Sequence, residues 1–494
     1  MRMKRFVNVR IPVLLAISLV AGIAAYYLFC RYDISPYYLI AVVPVAAIIF
    51  IICIFTKRSN VCLTAIVLCA LFIILGALNC GLRLNDFSKN ELSDTEIYKI
   101  SATVSDKGEN SRGEYLIVKN VKANGEKVSG KIIVYLSGDY GDFCDIGYKV
   151  NFTSKINKHE LFMNGSLNYY TYDHIKYSCN VYGGLTAEYG FNLFGAVRSY
   201  IRITLFNNLD NDIAPVAFAM FTGDSQYIED GMLESFRFGG IAHIFAISGL
   251  HIGIVYGILN FIFKKAKVNK YLITALCIIP LFLYAGVCGF TLSSVRAAIM
   301  CTVASLAKLI LRKYDGLNSL AISCVIILTV NPISLFNVGF QLSVSAVAGI
   351  LILKLPRKMP NSIKTPLAAQ AATAPVLVAN LGYVSVAGLL LNIIVIPLLS
   401  AMFVILFIGT VIAIILPFAA VLLQYLVIPL QAIVSFFVAA GFENAILTVS
   451  TGLWIPFYYL GLVAVSDKIN LLPYQRFIVI CLTVAAICIC FIIV

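Results

Sequence analysis

Twelve apolar runs are the feature that most constrains how this chain folds. A helix that crosses a bilayer needs about 20 mainly apolar residues, and most of the runs approach that length. Of the 494 residues, 60% are hydrophobic and 12% are charged, which is about half the charged share of a soluble protein. The sequence therefore predicts a polytopic α-helical membrane protein. The runs lie at 11–30, 37–55, 61–79, 241–263, 271–288, 317–330, 335–353, 366–382, 383–414, 418–440, 445–464 and 475–494.

The basic residues between the runs predict the orientation of the chain in the membrane. Basic residues precede the first run, whose apolar core of about 19 residues exceeds the roughly 7–15 of a signal peptide, so it is interpreted as an anchor. Lys and Arg accumulate on the cytoplasmic side. This rule places the N-terminus in the cytoplasm, residues 81–190 outside, and the basic turns at 264–270, 308–313 and 354–364 inside.

The net charge of +13 follows from that orientation. Residues 81–190 contain 13 basic and 14 acidic side chains, so the excess belongs to the membrane part. The basic balance is therefore topological and is poor evidence for nucleic-acid binding.

The segment of residues 81–190 is predicted to form a small extracytoplasmic β domain. Stretches rich in β-branched and aromatic residues alternate with Gly, Asn and Lys turns, as in strands joined by hairpins. Four or five short strands are typical of a small β-barrel such as an OB-fold. OB barrels can stack single-stranded bases on aromatic rings, although such rings also form barrel cores or strand surfaces. The candidate rings are Tyr98, Tyr115, Tyr135 and Tyr148.

Two of the 14 cysteines, Cys144 and Cys179, lie in this exported segment. Most of the others lie in apolar runs, where cysteine behaves as a small apolar residue. Outside the cytoplasm such a pair can oxidise, and the loop of about 35 residues would add roughly 3–4 kcal/mol of stability. The pair is a possible disulfide, with free thiols as the alternative in an anaerobic host.

The segment of residues 191–210 is predicted to be an amphipathic helix. Arg198 and Arg202 lie on a face different from the apolar one, which suits a helix on the outer leaflet. The alternative is an ordinary packed helix. The apolar face consists of Phe194, Val197, Ile201, Leu205 and Leu209.

Polar residues interrupt the apolar runs between residues 221 and 397, most densely in "HIFAISGLHIG" at 243–253. Ionisable groups at membrane depth are costly and mark transport pathways by default, and Ser-Gly permits a broken helix. The alternative is that these groups form hydrogen bonds between helices. The candidates for a translocation path or gate are Asp224, Arg237, His243, Ser248, His251, Arg296, Asn337, Gln341, Gln370 and Asn380.

Several of these segments resemble one known family. "FTGD", "GGIAHIFAISGLHIG", "GFTLSSVRAAIM", "NPISLFNVGFQLSVSAVAGI" and "AAQAATAPVLVANLGYVSVAGLLLNIIVIPL" occur in order and resemble the ComEC-type competence-protein family. "NGSLNYYTYDHI" at 164–175 resembles the end of its exported OB-like domain. The resemblance implies a channel in the bacterial cytoplasmic membrane that passes single-stranded DNA inward during natural transformation. It implies conduction without a catalytic step, a metal or a cofactor.

The resemblance also suggests roles and partners. Arg237, Arg296, His243 and His251 would meet phosphates, whereas Asp224 would repel them and is assigned a structural or gating role, for example paired with an arginine or a histidine. The expected partners besides membrane lipid are an external DNA receptor and a cytoplasmic helicase-like motor, with a second copy of the chain as one way to widen a pore.

One departure from the family concerns a hydrolase domain. Many members end in a metallo-β-lactamase-like domain, which needs a His-x-His-x-Asp-His cluster. The four histidines of this chain, at 159, 174, 243 and 251, do not form such a cluster. That role is therefore not transferred to this chain, and a separate nuclease is an expected partner.

Two other functions stay open at this point. A secondary transporter also uses helices broken by Gly and Pro. An intramembrane hydrolase based on Ser248 or on a metal held by Asp224, His243 and His251 is less favoured, because "AISGLH" lacks the nucleophile-elbow pattern. The predicted domains are an N-terminal anchor (1–80), the OB-like domain (81–190), the amphipathic helix (191–210), the channel domain (211–464) and a final turn and span (465–494).

Overall fold

The chain divides into two compact units in the computed structural model. The β-containing unit comprises residues 11–200 and 324–337, and the helical unit comprises residues 1–10, 201–323 and 338–494. The spans predicted at 37–55 and 475–494 lie outside the described residues. The structure describes residues 10–32, 60–89, 92–110, 113–136, 144–163, 166–181, 184–353, 359–416, 421–440, 446–448 and 454–465.

Two long helices open the β-containing unit. Helix α1 (Ile11–Arg31) and helix α2 (Asn60–Ser88) are apolar along most of their lengths. They approach so closely that a Cβ atom on Gly22 would overlap the carbonyl oxygen of Ile73. Small residues at such a crossing let two membrane helices pack backbone to backbone.

A mixed sheet of eight strands follows these helices. Its order is β10-β5-β1-β2-β4-β9-β6, with β3 paired to β2, and only the β4–β9 pair is parallel. The strands are β1 (Ile97–Asn110), β2 (Gly113–Ala123), β3 (Glu126–Lys127), β4 (Lys131–Leu136), β5 (Lys149–Lys155), β6 (Asn157–Lys158), β9 (Ile175–Val181) and β10 (Thr186–Glu188); a hairpin of β7 (Phe162–Met163) and β8 (Ser166–Leu167) and a helical turn, α3 (Tyr169–Tyr172), precede β9.

The β domain is confirmed, but the predicted closed OB-like barrel is not. After β4 the chain adds β5 beside β1 and β9 beside β4, at opposite edges of the β1–β2–β4 core. The hydroxyl of Ser154 on β5 donates a hydrogen bond of 2.9 Å to the carbonyl of Asn180 on β9, so these two edges lie close together and are joined by a side chain. Within the residues that the structure describes, the ladder ends at β10 and β6 without joining them.

The candidate stacking tyrosines mostly belong to the packing of this domain. Tyr98 and Tyr135 are buried, with 8% and 6% of their surfaces exposed. These two rings are packed within the domain, so the burial gives the stacking prediction no support at these positions. Tyr115 and Tyr148 are half-buried and meet the rings of Tyr135 and Tyr189 edge to face, at centroid distances of 6.3 and 5.5 Å.

The possible disulfide is also absent from the structure. Cys144 and Cys179 are free thiols within the same apolar core of the sheet. Burial raises the pKa of Cys179 to about 12, so the neutral thiol is favoured there. Both residues act as small apolar side chains of the core.

The segment that precedes the helical bundle folds as predicted into one helix, α4 (Leu193–Asn208). Ile201, Leu205 and Leu209 are buried, as the apolar pattern predicts. Val197, on the predicted apolar face, is 37% exposed. The placement of α4 on the outer leaflet stays a prediction.

The remaining described elements are mainly helical and are called the helical bundle, although those at residues 324–337 belong to the β-containing unit. Its elements are α5 (Ile213–Thr222), α6 (Asp230–Phe238), a 3-10 turn (Ala242–Ile244), α7 (Gly249–Lys265), α8 (Lys270–Val287), α9 (Leu292–Leu309), α10 (Gly316–Val330), a second 3-10 turn (Pro332–Phe336), α11 (Val338–Ile352), α12 (Asn361–Leu381), β11 (Tyr383–Ser385), α13 (Val386–Ile415), α14 (Leu422–Leu426), α15 (Ile428–Ala440), β12 (Ile446–Thr448), which pairs with β11, and α16 (Trp454–Val465).

The protein is a multi-pass membrane protein. Among the described helices, five are long and apolar enough to cross a bilayer, and several shorter apolar helices accompany them. The run at 241–263 is not one span, because a non-helical stretch separates its 3-10 turn from α7. The five candidate spans are Ile11–Arg31, Thr64–Ser88, Lys270–Val287, Leu292–Leu309 and Leu391–Ile415.

Candidate functional site

The break between α6 and α7 defines the candidate site, because it places two histidines and a serine in an otherwise apolar stretch. Helix α6 ends at a Gly239–Gly240 pair, a short 3-10 turn follows, and α7 begins at Gly249. A broken helix exposes main-chain polar groups, which membrane proteins tolerate where protein or a polar cavity satisfies them. Residues 237–251 are called the broken segment below.

Gly240 anchors the start of the broken segment. Its φ of +71° lies in the left-handed region, which costs other residues about 1–2 kcal/mol. A Cβ atom at this position would lie 2.7 Å from the Cα atom of Gly388, and one on Gly388 would lie 2.9 Å from the Cα atom of Gly240. The two glycines thus form a main-chain contact between the broken segment and the first turn of α13.

Ser385 fixes the other side of this contact. Its hydroxyl donates a hydrogen bond of 2.6 Å to the carbonyl of Phe238 and accepts one of 2.9 Å from the N–H of Gly388. Ser385 is the N-cap residue of α13. One side chain therefore caps α13 and satisfies a carbonyl at the end of α6, a role that the sequence analysis did not identify.

Two amides complete the junction. The Asn392 amide donates to the carbonyl of Gly240 at 3.3 Å, and the Gln370 amide donates to the carbonyl of Gly388 at 2.8 Å. Both amide oxygens are buried and have no hydrogen-bond partner among the residues that the structure describes. Such unsatisfied acceptors are uncommon in a native fold. The junction therefore has hydrogen-bond acceptors that its own contacts do not satisfy.

His251 and Ser248 cap the start of α7. The Nδ1 atom of His251 accepts the N–H of Ser248 at 3.1 Å, and the Ser248 hydroxyl accepts the N–H of Leu250 at 3.2 Å. The His251 ring is 4% exposed and lies 4.3 Å from the Phe403 ring centroid. This geometry is a capping box, so His251 holds the end of the broken segment and is covered in this conformation.

Two residues of α9, Arg296 and Ser293, contact the region in which α7 begins. Arg296 is 3% exposed and donates from Nη1 to the carbonyl of Ser343 at 2.6 Å. A Cβ atom on Gly249 would lie 3.3 Å from its Nη2 atom, so the glycine leaves room for the guanidinium. The Ser293 hydroxyl donates to the carbonyl of Ile247. These contacts give Arg296 a positioning role at the start of α7.

Arg237 and His243 are the charged or ionisable members of the broken segment that remain exposed. The imidazole of His243 is accessible, although protein atoms surround it densely. Among the ionisable side chains of the segment, these two are therefore the candidates for contact with a ligand.

The other predicted residues lie in varied surroundings. Asp224 is half-buried, and its carboxylate accepts hydrogen bonds from the main-chain N–H and the side-chain amide of Gln226. Gln341 is half-buried on α11, and its carbonyl accepts from Ser345. Asn380 is exposed and bonds the carbonyl of Val376 in its own helix.

Asn337 belongs to the β-containing unit. Its main-chain N–H donates to the carbonyl of Ser334 at the end of a 3-10 turn. In the part of the chain that the structure describes, no group of three or more His, Cys, Asp or Glu residues is placed to hold a metal ion.

Comparison with known proteins identifies a family whose model matches this chain. The model of a family described as "Competence protein" matches residues 220–466, half of the chain. ComE operon protein 3 of Bacillus subtilis is 29% identical over 210 residues, which cover 41% of this chain and 27% of that protein. The "Uncharacterized protein MG316 homolog" of Mycoplasma pneumoniae is 31% identical over 104 residues, covering 21% of this chain and 26% of that protein. The chain thus spans about a quarter of the length of these relatives. No solved structure matches it.

Proposed function

The chain belongs to the competence protein family, and on that premise we propose that it is the membrane channel through which single-stranded DNA enters the cytoplasm during natural transformation. The observation that carries the proposal is the broken segment. It places an accessible arginine and an accessible histidine at a polar helix break inside an otherwise apolar bundle.

The physical requirement for such a channel is that the phosphates of the strand stay hydrated or paired. A bare charge in hydrocarbon is heavily penalised. Arg237 and His243 supply accessible groups that can meet phosphates, and the Gly240–Gly388 contact holds them at a fixed junction. His251, Ser248 and Arg296 keep the far end of the segment in place through caps and main-chain contacts. Asp224 has a structural role beside the segment.

The orientation and partners follow from the same proposal. The N-terminus lies in the cytoplasm of a bacterial cell and residues 81–190 lie outside, where an external receptor delivers DNA. A cytoplasmic helicase-like motor draws the strand inward, and a separate nuclease is a further proposed partner. Two copies of the chain can widen the passage.

Two other functions receive less support. A secondary transporter shares helices broken by Gly and Pro but gives no reason for an exposed arginine and an exposed histidine in the same broken segment. The Ser248 hydroxyl lies 3.2 Å from Nδ1 of His251, a distance compatible with a nucleophile and its base. That nitrogen already accepts the Ser248 main-chain N–H and the ring is covered, so the pair caps a helix and the hydrolase is not favoured.

Photo-crosslinking tests the path. A photoreactive amino acid replaces His243, and a matched one replaces Phe261, which is 67% exposed on α7 outside the broken segment. In cells importing labelled DNA through either variant, we expect adducts between the strand and position 243 and none at position 261. Equal adducts at both positions, or none at 243 while DNA enters, would contradict a path along this segment.

A further inference from the structure

The β-containing unit has a basic cavity that the path described above does not include. It has a volume of about 400 Å³ and lies between α2, the β2–β3–β4 strands and the turn before β9. Four permanently cationic side chains line it against one carboxylate, that of Asp173. The cations are Arg83, Lys119, Lys127 and Lys131.

An ion-pair network fixes the wall of this cavity. Asp86 of α2 accepts hydrogen bonds from Ser129 at 3.0 and 3.1 Å and lies 2.8 Å from Nε2 of His174. The ammonium of Lys176, which is 1% exposed, lies 3.8 Å from the same carboxylate. Asp86 is therefore engaged within the protein, where its charge is paired with the buried Lys176.

Several residues that line the cavity also carry buried polar atoms. Among the described residues, Nε of Arg83, Nδ1 of His174 and Oδ1 of Asn331 are buried and have no hydrogen-bond partner. Burial, and next the nearby Arg83, lower the pKa of His174 to about 4 although Asp86 opposes them. The ring is thus neutral near pH 7, with Nε2–H directed at Asp86 and Nδ1 left as an acceptor. The neutral imidazole leaves the lysines and Arg83 as the charged groups of the wall, with Asp173 as the one carboxylate.

The strand register adds an independent sign of an anionic ligand. Lys122 of β2 lies directly opposite Lys127 of β3, and both are exposed. Like charges directly opposite each other destabilise a sheet. A ligand carrying repeated negative charges would offset that repulsion beside the cavity.

We propose that this cavity is a docking site for the phosphodiester backbone of single-stranded DNA on the β-containing unit. The lysines around the cavity meet successive phosphates of the strand. The inference rests on the proposed function for the identity of the strand. A polynucleotide fits better than a lipid headgroup because the cations continue along exposed strand residues, where a single phosphate would reach only part of them.

Binding measurements on the full chain in neutral detergent test the site. The probe is a fluorescent oligothymidylate of about 12 nucleotides, within the range bound by single-strand sites. The double variant Lys127→Gln/Lys131→Gln is compared with the control Lys149→Gln/Lys155→Gln, which removes the same charge from exposed positions of β5 outside the cavity. Thermal unfolding confirms that both variants fold.

We expect the cavity variant to bind the probe about tenfold or more weakly, and the control to bind like the unmodified chain. Two lost phosphate contacts should also lower the slope of log K against log salt by about 1.4, at about 0.7 per contact for single strands. Equal losses in both variants, or no loss in either, would overturn the site. A short-chain phosphatidylglycerol that displaces the probe more strongly than unlabelled oligothymidylate would assign the cavity to lipid and also overturn it.

The site and the channel can fail separately. If the cavity lysines control binding but a strain lacking the gene still imports DNA, the proposed function fails and the binding site stands. If the strain imports no DNA and the lysine substitutions leave binding of the probe unchanged, the docking site is contradicted and the proposed function stands.

Discussion

Gly240→Ala is expected to lower the amount of imported DNA by about tenfold or more. The new methyl group would lie 2.7 Å from the Cα atom of Gly388, and main chain cannot move aside as a flexible side chain can. The left-handed φ adds about 1–2 kcal/mol. Since 1.4 kcal/mol corresponds to a factor of ten in population, strain and overlap together remove most of the correctly joined state.

Two further substitutions make this result specific. Gly388→Ala approaches the same contact from α13, with its methyl 2.9 Å from Gly240, and should lower import similarly. Gly253→Ala is the matched control, because no atom lies within 4 Å of its added Cβ and alanine favours a helix over glycine. Import and surface-bound DNA are measured at equal protein levels. Normal import by both Gly240→Ala and Gly388→Ala would contradict a fixed junction.

Arg296→Met is expected to abolish import and to lower the thermal stability of the chain. The substitution keeps much of the apolar stem but removes the donor to the Ser343 carbonyl. A buried polar group that loses its partner costs about 1–3 kcal/mol. Arg296→Lys should also abolish import. A lysine ammonium does not reproduce the planar guanidinium, which bonds the Ser343 carbonyl and lies close to Gly249.

The control for this charge removal is Lys308→Met on the same helix. Lys308 is exposed and lies 3.5 Å from the Tyr256 hydroxyl, so its loss should leave both import and the unfolding temperature nearly unchanged. Thermal unfolding in detergent and import in cells are measured for each variant. An Arg296→Met chain with normal stability but no import would instead indicate that the guanidinium contacts the strand.

The membrane character of the chain was predictable because it depends on composition over long stretches. The span at Leu292–Leu309 was not found this way, since Arg296, Lys308 and several hydroxyl side chains dilute its apolar residues. The structure shows that Arg296 is covered by protein. A span that faces other helices can carry such residues, and a sequence scan does not identify the neighbouring helices.

The break at residues 245–248 was foreseeable from Ser-Gly, but the roles of its residues were not. His251 looks like a candidate for phosphate contact in the sequence and is a cap in the structure, because capping depends on where Ser248 directs its N–H. Gly240 gains its role from Gly388, nearly 150 positions away. Likewise, the β domain followed from strand composition, whereas its open edges depend on which strands pair.

Import of labelled donor DNA tests the central claim most directly. Surface-bound and internalised DNA are separated in strains that carry the intact gene, a deletion, or the deletion complemented with the gene. The channel proposal predicts that the deletion strain binds DNA outside and internalises none, and that complementation restores entry. Unchanged internalisation in the deletion strain would contradict the proposal.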